Sequence, residues 1–127
     1  MMRRIVAALL PAIALTAALA PTAHAAPSPV TSPYTQASAM VNENGDLLEA
    51  KNIVSVTKVS TGQFCVKVTD DINVAKSTVL TTPYWAGTVA TRKGPYAMCS
   101  NDPQSIGVFV LGTNGLYTNQ GFTLAVL

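Results

Sequence analysis

Cys65 and Cys99 are the side chains in this sequence whose type and spacing point most directly to a covalent bond. Two cysteines allow one intramolecular pairing. In an exported protein that pairing is a disulfide. It would close a loop of about 35 residues and stabilise the fold by roughly 3–4 kcal/mol in the chain-entropy model. The alternatives are a pair of metal ligands or a redox pair. Both suffer from the wide separation and from the lack of further Cys or His ligands.

The remaining chemistry is defined by what is missing. The one histidine is His24, in the N-terminal segment. The rest of the chain lacks the commonest general base and the commonest metal ligand. That excludes a Ser-His-Asp or Cys-His nucleophilic site. No glycine-rich phosphate loop occurs at a strand-to-helix junction. Asp70-Asp71 reads as a solvated turn rather than an acid/base pair. Asn42, Asn44 and Asp46 fall at the first, third and fifth positions of a calcium loop. Leu47 then stands where that loop requires glycine, so a hairpin turn at Asn44-Gly45 is the better reading. The sequence therefore predicts a non-enzyme with no cofactor and no metal site.

Tyr84, Trp85 and Tyr96 are the candidate contact residues, because exposed rings on a β-surface serve protein and sugar recognition. The competing reading places Trp85, the single tryptophan, in the core.

The N-terminus carries an address. Arg3 and Arg4 precede an apolar run from Ile5 to Leu19, and Ala23-His24-Ala25 forms an A-x-A cleavage site. The run falls short of the roughly 20 residues that span a bilayer. Residues 1–25 thus read as a signal peptide, and the protein as secreted. Arg3 and Arg4 account for the net charge of +2, so the rest holds six acids and six bases. No basic stripe remains for nucleic acid or anionic lipid.

The elements that must position these residues read as strands. Residues 26–35 carry Pro27, Pro29 and Pro33 and predict an extended linker or mobile tail. Residues 36–127 form one domain. Its centre is IVSVTKVSTGQFCVKVT, Ile53 to Thr69, read as a hairpin turning at Ser60-Thr61-Gly62-Gln63. Val54 and Val56 are expected on one face of its first strand, and Phe64, Val66 and Val68 on one face of its second. Val74 to Thr82, Tyr84 to Thr91 and Tyr96 to Ser100 are expected to be further strands. Ile106 to Leu111, apolar on both faces, predicts a central strand buried on both sides, with Phe109 in the core. Phe122 to Leu127 closes the chain. About eight short strands with turns between them predict an all-β fold, a small antiparallel β-sandwich or partly open barrel, following the cleaved signal helix.

The run MVNENGDLLEAKNIVSVTKVSTGQFCVKVTDDINVAKSTVLTT, with GVFVLGTNG and GFTLAVL, resembles small secreted actinobacterial β-domain proteins of uncharacterised function. Similar units stand at the ends of phage tail-fibre-like proteins. The resemblance spans about 90 residues from Met40 to Leu127 and rests on hydrophobic pattern and turns. It supplies no catalytic residue. Family members often have cysteine where Ser77 stands here. The expected function is surface contact with a protein or a cell-envelope polysaccharide. The alternative is a small secreted inhibitor or carrier, binding an enzyme or an apolar ligand. A cavity lined by Phe109, Tyr96 and Trp85 would favour the carrier.

Overall fold

Alternation of apolar and polar residues gives each strand one inward face, and two such faces close on each other. The computed structural model describes residues 25–127 and arranges them as a β-sandwich. The segment read as a signal peptide lies outside the described residues, apart from Ala25.

The strands are β1 (Ser28–Pro29), β2 (Ala37–Val41), β3 (Leu47–Lys51), β4 (Ile53–Ser60), β5 (Gln63–Val68), β6 (Val79–Pro83), β7 (Thr88–Arg92), β8 (Ser105–Leu111) and β9 (Phe122–Val126). One sheet has the order β1-β3-β2-β9-β6, the other β4-β5-β8-β7. All pairings are antiparallel except that of β1 with β3. The sheets do not close into a barrel. Asn52 alone joins β3 in one sheet to β4 in the other, in the left-handed region at φ 54°. Asparagine tolerates that conformation better than most residues.

The core lies between the sheets. Ala37, Ala39, Val41, Phe122, Leu124 and Val126 face inward from the five-stranded sheet. Phe64, Val66, Val68, Ile106, Val108 and Val110 meet them from the other. The expected inward faces of β5 and β9 are those observed.

Six expectations are corrected. Val54 does not share the inward face with Val56. The β4–β5 register slips between Ile53 and Ser55 and again between Lys58 and Ser60. Each slip inserts an extra residue and resets the alternation. Val54 and Val59 are exposed, while Ile53 and Val56 pack against the core.

Residues Val74 to Lys76 and Ala97 to Cys99 form 3₁₀ turns rather than strands. In the first, the Asn73 side chain accepts from the Lys76 N–H. That is the local bond by which Asn competes with a ladder. In the second, Ser100 and Asn101 adopt positive φ, which ends any extended run. Trp85 does not open β7. Residues 84–87 form a bend, and β7 starts at Thr88.

Phe109 is not a core residue. It points outward from β8 and is half-buried. Finally, residues 26–35 are not a free linker. β1 pairs with Glu49 and Ala50 of β3, the Val30 N–H donates to the Ala50 carbonyl, and Lys51 Nζ donates to the Ser32 and Thr35 carbonyls. Proline is acceptable in this position because the outer side of an edge strand needs no donor.

Candidate contact surface

The outer face of the four-stranded sheet brings Cys65, Gly107 and Arg92 into one row across β5, β8 and β7. The segment from Gly94 to Asp102 folds back over this face. Cys65 and Cys99 are disulfide-bonded, with Cα atoms 5.6 Å apart. The bond fastens the 3₁₀ turn to the middle of the sheet. Met98 lies directly over Gly107, its Cε 3.6 Å from where a Cβ would stand, an ordinary packing distance. Lys67 and Asp102 pair at 3.2 Å beside the disulfide. Backbone N–H donation from Gln104, followed by the Lys67 ammonium, holds the Asp102 carboxyl below the ordinary aspartate range.

The next row carries aromatic side chains. Phe109 meets Tyr96 edge-on at 6.2 Å between ring centroids, and Tyr117 at 6.3 Å. The Arg92 guanidinium lies 4.2 Å over the Tyr96 ring. These are spacings at which aromatic and cation–π pairs attract. An apolar outer face is thus covered by the chain's own rings, which explains how Phe109 resembles a core residue in sequence.

The predicted contact residues do not form one cluster. Tyr84 lies on the outer face of the five-stranded sheet. Its ring packs where a Gly121 side chain would be, 2.8 Å from the position of that Cβ. Its hydroxyl is buried without a protein partner. Burial, aided by the Glu49 and Glu43 carboxylates, raises the Tyr84 pKa. Tyr96 belongs to the opposite face. Trp85 is 82% exposed, which settles the choice between core and surface.

Trp85 instead joins another group. With the Gln120 amide oriented so that its oxygen accepts from the Trp85 backbone N–H at 3.0 Å, its nitrogen donates to the Ala86 backbone carbonyl at 3.1 Å. This ties the bend at 84–87 to the loop at 112–121. That loop presents Leu116, 66% exposed, and Tyr117, 48% exposed. Gly87 packs so closely on Leu111 that a Cβ would fall 2.2 Å from the Leu111 carbonyl oxygen. The β4–β5 turn is bonded to the same end, through the Val110 N–H and the Gly62 carbonyl at 2.8 Å. Three connecting segments therefore share one end of the sandwich.

Sequence reasoning overlooked Leu116, Tyr117 and Arg92. An aromatic beside Leu in a loop rich in Gly, Asn and Thr was the available signal, since such a loop buries little. Surface grooves of about 210, 550 and 220 Å³ are lined by residues other than Phe109, Tyr96 and Trp85. Among the described residues no group of three or more His, Cys, Asp or Glu is placed to hold a metal ion, and no helix is long and apolar enough to cross a membrane. Compared with models of known protein families, with curated proteins and with solved structures, the chain matches none.

Proposed function

We propose that this chain is an exported, non-catalytic β-domain that acts by surface contact with a protein or cell-envelope partner. The observation that carries this reading is the exposure of Trp85 on a bend bonded to the loop of Leu116 and Tyr117. Large side chains left in water on fixed loops bury apolar area only when a partner arrives. The A-x-A pattern after the apolar N-terminal run supports export, and a disulfide is compatible with an oxidising compartment.

The test is co-purification from culture medium of the wild type and Trp85→Ala in parallel. The variant should keep its unfolding midpoint, because an exposed substitution costs less than about 0.5 kcal/mol. It should lose the co-purifying partner. Identical partners and yields for both proteins would remove Trp85 from the contact surface and overturn the reading.

A further inference from the structure

The shared end of the sandwich has an unusual composition for a chain with twelve charged residues outside its N-terminal segment. The turn 60–63, the bend 84–87 and the loop 112–121 contain no Asp, Glu, Lys, Arg or His. Glu43 and Asp46 belong to the neighbouring β2–β3 corner. What the three segments offer is apolar rings together with hydroxyl and amide groups. Trp85 and Tyr117 supply the rings, and Thr61, Thr113 and Asn119 are exposed on the same segments.

We infer that this end is a binding site for a neutral polysaccharide. The inference rests on the surface-contact reading above and names its partner. A pyranose ring has an apolar C–H face, which stacks on an indole or phenol, and a rim of hydroxyls that both donate and accept. Threonine hydroxyls and asparagine amides match that rim, because they also do both. An anionic glycan or an anionic lipid surface would select cations, and these segments have none. The site is also held in shape before any ligand arrives. The Gly112 N–H donates to the Leu116 carbonyl at 2.8 Å, the Thr118 N–H donates to the Val110 carbonyl at 3.1 Å, and Gln120 bridges to the bend. Fixed loops lower the ordering cost of binding.

The single tryptophan makes the test direct. The secreted protein is titrated with an α-glucan, a β-glucan, a mannan and a galactan, following tryptophan emission and affinity electrophoresis. At least one should shift the emission, and added salt should leave the affinity unchanged. Trp85→Ala should weaken binding roughly tenfold or more, and Trp85→Phe, which keeps a ring, should recover part of it. A polyuronate and phosphatidylglycerol vesicles are run alongside. Binding to none of the neutral polymers, binding only to the anionic probes, or binding that Trp85→Ala leaves intact would each overturn the inference. If the glycans fail while Trp85→Ala still loses a protein partner from medium, the surface-contact reading stands and only the polysaccharide is wrong. If both fail, the contact surface itself is misassigned.

Discussion

Phe64 on β5 and Phe122 on β9 face each other across the sandwich, their ring centroids 5.1 Å apart and their planes inclined at 60°. Both are fully buried. They are the largest side chains at the centre of the core, one from each sheet. Phe64→Ala should cost about 3–5 kcal/mol through lost transfer energy and the cavity left behind. Phe109→Ala should cost clearly less, because that ring lies half-buried on the outer face. Chemical denaturation of both variants checks the order. A larger loss for Phe109 would mean that the outer aromatic row, not the interior, dominates stability.

The disulfide closes a separation of 34 residues and fixes the segment from Gly94 to Asp102 over β5 and β8. Replacing both Cys65 and Cys99 by serine should lower stability by roughly 2–4 kcal/mol. The wild type should show no titratable thiol and should run as a monomer without reductant. Free thiols or a covalent dimer would contradict the proximity of Cys65 and Cys99.

Asp102 gives an acid-side dependence. Its folded pKa is depressed, first by the Gln104 N–H and then by Lys67. The unfolded chain binds this proton more readily than the folded one. The contribution to stability is therefore fully present above the ordinary aspartate value, and it is lost as pH falls through the lower folded value. Asp102→Asn should be less stable than wild type near neutrality, with the gap closing on acidification. A gap that stays constant down to low pH would show that the carboxylate does not titrate against the fold.

Much of this architecture is legible in the sequence because it depends on period-two patterning. Phe64, Val66 and Val68, and again Phe122, Leu124 and Val126, alternate without interruption and lie inward as read. The pattern fails where a local bond or an extra residue intervenes. Val54 is displaced by a bulge that its own apolar character hides. Val74 belongs to a 3₁₀ turn because Asn73 captures the Lys76 N–H. Phe109 misleads for a different reason. An outward apolar face covered by the chain's own Tyr96, Met98 and Tyr117 has the same composition as a buried one. The proposed contact surface is half legible. Trp85 was singled out, but its neighbours come from a loop some 30 residues away in sequence, joined only by folding.

The displaced residues of β4 also bear on how any partner can bind. β4 is eight residues long and forms an open edge of its sheet. Such an edge normally invites another chain to add a strand. Here two bulges break the row of free N–H and C=O groups into short, mismatched pieces. Lys58, paired with Phe64, turns toward the inner side and donates to the Glu43 carbonyl, so a cation stands between the exposed Val54 and Val59 of this edge. Lateral addition of a strand is thereby disfavoured at this edge. A partner of the proposed contact surface would then be selected by side chains on the loops rather than by strand addition at this edge.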